Sequence, residues 1–115
     1  MVDPAKTALS AMRAFGCRLA TTAHNLANMN TEGFEADRVV MKTASPAGVT
    51  AEVHRSHRSE IMSDTGEGSG SREASNVDVG REVGTLVTAG QGYKANLKTL
   101  QTWEEMTRSV IDLLA

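Results

Sequence analysis

The chain has 115 residues, only 3% of them aromatic, and a formal net charge of -2 with a pI near 5.9. So few large apolar side chains argue against a thick core with a buried catalytic pocket, and the near-neutral charge leaves no strong positive field for a phosphate backbone, so nucleic acid is not an expected partner. The single Cys17 cannot close an internal disulfide, no Cys/His grouping has metal-site spacing, and no run approaches the roughly 20 apolar residues of a membrane span.

Asp3 followed by Pro4 predicts an N-cap with proline at the first helical position, where its missing N–H costs nothing. From there Ala5, Ala8, Met12, Phe15, Leu19, Thr22 and Leu26 recur at steps of three and four and predict a helical stripe over residues 3–28. Gly16, Ala20, Ala23 and Ala27 flank the stripe, so a partner helix could approach closely. Asn28, Met29, Asn30, Thr31, Glu32 and Gly33 break the period with residues that bond their own backbone or accept positive φ, which predicts a structured turn over 29–35.

The alternating, β-branched runs Arg38 to Thr43 and Val49 to Arg55 flank Ser45, Pro46, Ala47 and Gly48 and predict a β-hairpin insert within 36–62. A linker over 63–75 is expected from Gly66, Gly68 and Gly70 among Ser, Asp and Glu. Ser75 and Asp78 are spaced as a capping box before a long second helix over 76–114. Its expected seam is Val79, Val83, Leu86, Gly90, Tyr93, Leu97 and Leu100, then, after a three-residue slip, Trp103, Thr107, Val110 and Leu114. Gly84, Gly90 and Gly92 each cost about 1 kcal/mol against Ala in a helix interior, so this segment needs support from outside itself. The fold expected is mainly α: two long terminal helices pairing as an antiparallel coiled coil, with a short β-hairpin insert and a flexible Gly/Ser linker. Val87, Met106 and Ile111 fall off the common line and predict an apolar surface left for assembly.

Two segments resemble the terminal signatures of flagellar axial proteins, the rod, hook and hook-associated subunits. The first is Asn25, Leu26, Ala27, Asn28, Met29, Asn30, Thr31, Glu32, Gly33 and Phe34; the second is Asn76, Val77, Asp78 and Val79, then Glu82 and Val83, then Tyr93, Ala95 and Asn96. Within that family the chain is most similar to the small proximal-rod FlgC type, in a shortened form. The resemblance implies a structural subunit of the flagellar basal-body rod that assembles with copies of itself and with other rod proteins. It also implies no cofactor or small-molecule substrate, export by the flagellar type III apparatus without a cleaved signal peptide, and a place in the periplasmic rod. The assembly residues it points to are Asn25, Leu26, Asn28, Asn30, Thr31, Gly33, Phe34, Asn76, Asp78, Tyr93, Asn96, Leu97 and Leu100, with Asn25, Asn28, Asn30 and Thr31 setting the exit angle of the chain and presenting amides to a neighbour. A rod-like adaptor or regulator of flagellar assembly is the alternative, suggested by the short length and the glycines.

Chemistry offers little competition. His54 and His57 are separated by an odd step, which on a strand sends them to opposite faces, so the cluster His54, Arg55, His57, Arg58 and Glu60 reads as a solvated or subunit-contact edge. His24 has no acid or nucleophile near it in sequence, and Gly66, Gly68 and Gly70 lack the Lys-Ser or Lys-Thr of a phosphate loop. No catalytic residue is expected.

Overall fold

The computed structural model of the protein describes residues 2–57 and 74–115. Helix α1 spans Pro4–Ala27, strands β1 and β2 span Asp37–Thr43 and Val49–Arg55, and helix α2 spans Val79–Leu114. The architecture is two helices with one antiparallel hairpin between them in sequence, mainly α in content. Asp3 caps α1 as its sequence predicts, its carboxylate accepting from the Ala5 N–H at 3.0 Å with Pro4 following.

The α2 start differs from the expected one. Asp78 is the N-cap, its side chain accepting from the Arg81 N–H at 3.2 Å, and the helix begins at Val79 rather than 76. Ser75 instead accepts from the Val77 N–H at 3.3 Å, one turn too early to cap the helix. Of the predicted linker, residues 63–73 lie outside the described residues, as do Arg58 and Glu60.

α1 is the central element, with α2 on one side and the hairpin on another. The helices run antiparallel: Pro4 lies beside Trp103 and Met106, Phe15 against Gly92, and Thr22 beside Glu82 and Thr85. Two of its most buried residues, Ala8 and Thr22, belong to the predicted stripe, and the other three, Ala11, Ala14 and Asn25, each stand one position before a stripe residue, so burial extends from the stripe to one side of it, as a helix serving two partners requires. Alanine dominates this line and lets both neighbours approach closely. The hairpin pairs Asp37 with Arg55, Val39 with Val53, Met41 with Ala51 and Thr43 with Val49, so these residues share one face. Val39, Met41, Val49 and Ala51 are half-buried, and Ser10 on α1 fixes the register by accepting from the Val49 N–H at 3.1 Å.

The larger correction concerns α2. Its inward line is Glu82, Thr85, Ala89, Gly92, Asn96, Leu100, Trp103 and Thr107, continuous at steps of three and four. The slip expected after Leu100 is therefore absent. Of the seam expected up to Leu100, Val79, Val83, Leu86 and Leu97 are rotated roughly a quarter turn or more from the inward line and stand exposed, whereas Gly90, Tyr93 and Leu100 are half-buried. The physical reason is close packing in the middle of the interface: Ala89 and Gly92 fit there, under Phe15, where valine and leucine would not, and Leu100 and Trp103 follow farther along the same line. Phe15 fills the space over Gly92, and any Cβ built there would overlap its ring.

A candidate assembly site at the helix and hairpin junction

Where α1 ends, the chain makes consecutive turns. The Asn28 N–H donates to the His24 and Asn25 carbonyls, each at 3.2 Å, and its side-chain amide donates to the His24 carbonyl at 3.0 Å. Thr31 closes the next turn through its N–H to the Asn28 carbonyl at 3.0 Å and its hydroxyl to Asn28 Oδ1 at 3.2 Å. The Phe34 N–H then donates to the Thr31 carbonyl at 3.3 Å. Gly33, between them, has φ 67°, a conformation that an L side chain rarely adopts. The half-buried Phe34 ring meets His24 edge-on, with centroids 5.5 Å apart, which ties the turn back onto the helix.

Two asparagine side chains act as strand backbone at this junction. Asn25, 1% exposed, accepts from the Asp37 N–H at 2.9 Å and donates to the Asp37 carbonyl at 2.7 Å. Asn76 accepts from the Ala36 N–H at 2.6 Å and donates to the Ser56 carbonyl at 3.0 Å, while its own N–H donates to the Phe34 carbonyl at 3.2 Å. The Ser56 N–H donates to the Ala36 carbonyl at 2.8 Å, so residues 34–37 are held from both sides. An amide suits this work because it carries a donor and an acceptor side by side, like a peptide unit. The end of α1, the root of the hairpin and the approach to α2 are thereby fixed to one another.

Among the thirteen residues singled out from sequence, the junction gathers Asn25, Asn28, Thr31, Gly33, Phe34 and Asn76. Asn25 is turned inward and its amide is occupied by Asp37, so it sets the exit of the chain and presents nothing to a neighbour. Asn30 and Thr31 stay at the surface, Leu26 is half-buried and Asp78 is occupied in capping. Tyr93, Asn96, Leu97 and Leu100 lie farther along α2. Tyr93 and Leu100 are half-buried, Asn96 donates to the Gly92 carbonyl at 2.8 Å, and Leu97 is 38% exposed on the outward stripe.

Sequence reasoning missed Glu82 as a site residue. It is 7% exposed and lines a cavity of about 250 Å³ where α1, β1 and α2 meet. Its place on a line made of Thr85, Ala89, Gly92 and Asn96 has no hydrophobic signal; its presence in the second terminal signature and the three-and-four spacing are the signals that could have found it.

The hairpin's exposed face carries charge. Lys42 Nζ sits 2.6 Å from Glu52 Oε2 and His54 Nε2 3.3 Å from it; the hydrogen bond and charge of Lys42, with a smaller contribution from His54, hold the Glu52 carboxyl below its ordinary value. His57 pairs with Glu35 at 3.5 Å, away from His54. Among the described residues no three His, Cys, Asp or Glu side chains gather as a metal site, and no helix is long and apolar enough to cross a membrane.

Comparison with known families gives two matches. The model described as Flagella basal body rod protein matches residues 6–34, and that described as Flagellar basal body rod FlgEFG protein C-terminal matches residues 69–113. The first covers α1 and its turns, the second the Asn76 segment and nearly all of α2. Neither singles out the proximal-rod FlgC type. No curated protein matches the chain significantly.

Proposed function

The chain belongs to the flagellar basal-body rod and hook family, a family of structural proteins, and from that premise we propose that it is a rod subunit assembling through the outward faces of its two terminal helices with copies of itself and other rod proteins. One observation carries the reading: among the described residues nothing covers the apolar stripe of α2. Val79, Val83, Leu86, Val87 and Leu97 are exposed along the stretch beside α1, Met106 is exposed next to Pro4, and Val110, Ile111, Leu113 and Leu114 are exposed beyond it. Apolar surface of this extent on so thin a molecule marks an interaction face. Because the apolar stripe of α2 and the small-residue face of α1 differ, contacts between copies are heterologous and grow into open helical arrays rather than closed dimers.

On this reading the protein has no catalytic role and takes neither cofactor nor small-molecule substrate. It reaches the periplasmic rod through the flagellar type III export apparatus, for which a chain with few aromatics and glycine-bearing helices is suited to travel unfolded. Fractionating cells that carry Val83→Asp tests it. The variant is expected to be made and exported but depleted from basal bodies about tenfold or more, with motility impaired, since a charge would be buried unpaired against the neighbour. Thr88→Glu, on an exposed face away from the stripe, is expected to incorporate like wild type. Equal incorporation of Val83→Asp and wild type would favour the adaptor reading.

A further inference from the structure

The two edges of the hairpin differ in what the rest of the chain does with them. Within the ladder the Ser56 N–H bonds the Ala36 carbonyl and the Ala44 N–H bonds the Gly48 carbonyl, so the residues between, Asp37 and Val39 on β1 and Val49, Ala51, Val53 and Arg55 on β2, turn their backbone groups outward. On β1 Asn25 takes both groups of Asp37, and Arg18 donates to the Val39 carbonyl at 3.4 Å, which leaves open only the end toward the turn. On β2 Ser10 takes the Val49 N–H at 3.1 Å. Beyond it, among the described residues, no group bonds the outward N–H or carbonyl of Ala51, Val53 or Arg55. Residues 52–55 are exposed, Val53 at 52%, and neither proline nor bulge interrupts the strand. A bare edge of this kind is a template for another strand.

Charge selects the strand that fits. An antiparallel copy of β2 centred on Ala51 needs Val49, whose N–H Ser10 already holds. Centred on Glu52 or Arg55 it sets like charges opposite each other, and centred on His54 it leaves Glu52 facing Ser56. Centred on Val53 it sets Glu52 opposite the second copy's His54, and His54 opposite the second copy's Glu52. Val53 then meets its own twin and Ala51 lies across from the second copy's Arg55, each with both backbone groups turned toward its partner. Every Glu52, which has Lys42 at 2.6 Å and His54 at 3.3 Å in its own chain, gains a second imidazole across the edge. We propose that the free edge of β2 pairs antiparallel with β2 of a second copy, about a two-fold axis at Val53, to form a four-stranded sheet. This contact uses the hairpin instead of the helices and closes at two, so it belongs to the free chain: the open arrays built by heterologous contacts point every copy the same way. It does not depend on the rod-subunit reading.

The test is association of the purified full chain, with Val83→Asp present in every sample so that the outward stripe of α2 takes no part. Sedimentation at about 0.1 mM is expected to show a dimer, weak because two short strands bury little area. Val53→Pro removes an N–H that β1 does not use, so the hairpin stays while association is expected to weaken about tenfold or more. In Glu52→Lys and in His54→Glu the pair sets base against base or acid against acid, and a similar weakening is expected. A mixture of these two variants restores acid against base at both places and is expected to associate about as well as the chain without them. A monomer at that concentration would overturn the pairing and leave the edge to a strand of another protein. A dimer that Val53→Pro leaves unchanged would place the contact elsewhere, and a mixture no tighter than its components would remove the register; either overturns the proposal. Absence of the chain from basal bodies would bear on the rod-subunit reading alone.

Discussion

Asn25 shows how one side chain can hold a junction. Its two hydrogen bonds to Asp37 replace what a neighbouring strand would give, and the Asn25 side chain that makes them is buried. Asn25→Leu keeps a similar volume but leaves the Asp37 N–H and carbonyl without their partner, so a loss of about 2–4 kcal/mol is expected. Chemical denaturation of the purified variant checks it, and a loss below about 0.5 kcal/mol would show that the junction is held elsewhere. The motif Asn25 to Phe34 was legible in sequence as a turn that ends a helix. That Asn25 faces Asp37 and not a neighbouring subunit was not legible, because a side chain's direction depends on what the hairpin brings against it.

At the scale of elements, α2 separates two glycines that look alike in sequence. A methyl group at Gly92 would drive the Phe15 ring out of the helix groove, so Gly92→Ala is expected to destabilise by about 1–3 kcal/mol. Nothing lies within 4 Å of a Cβ at Gly90, and Gly90→Ala is expected to stabilise the isolated chain by about 0.5–1 kcal/mol through better helix propensity. Thermal melts of the two variants should move in opposite directions. In the hairpin, Lys42 and His54 depress the Glu52 pKa from its ordinary 4.5. A carboxylate with a lowered folded pKa adds stability that is present in full above the unfolded value and is lost as pH falls through the folded one. Titration of Glu52 by NMR is expected to give a midpoint below 4.5, and Lys42→Met is expected to move it back up. An unchanged midpoint in Lys42→Met would show that the pair does not persist in solution.

For the whole molecule, the division of α2 into an inward and an outward line is what matters. Leu97 and Leu100 are three residues apart and were expected to share one seam, yet Leu97 faces out and Leu100 is half-buried toward α1. In the isolated chain Leu100→Asp is therefore expected to cost about 1–3 kcal/mol, whereas Leu97→Asp should cost under about 0.5 kcal/mol and show its effect only in assembly. Melting curves of both purified variants decide this; equal losses would mean that Leu97 also packs within the chain. The end of α2 beyond Met106 has no α1 beside it, and on the proposed reading this apolar helical turn is held by a neighbouring subunit rather than by its own propensity.

The sequence by itself determined the order of elements, the Asp3 cap, the hairpin strands and the two terminal signatures, because caps, alternation and turn residues act over a few neighbouring positions. It also marked Val79, Val83, Leu86 and Leu97 correctly as one apolar stripe. Only the tertiary structure decided that this stripe faces outward. Hydrophobic periodicity reports that a helix face will be covered, not by what. Here the helices pass closely in the middle of the interface, where Phe15 lies over Gly92 and only Ala89 and Gly92 fit inward, while Val79, Val83, Leu86 and Leu97 stand exposed.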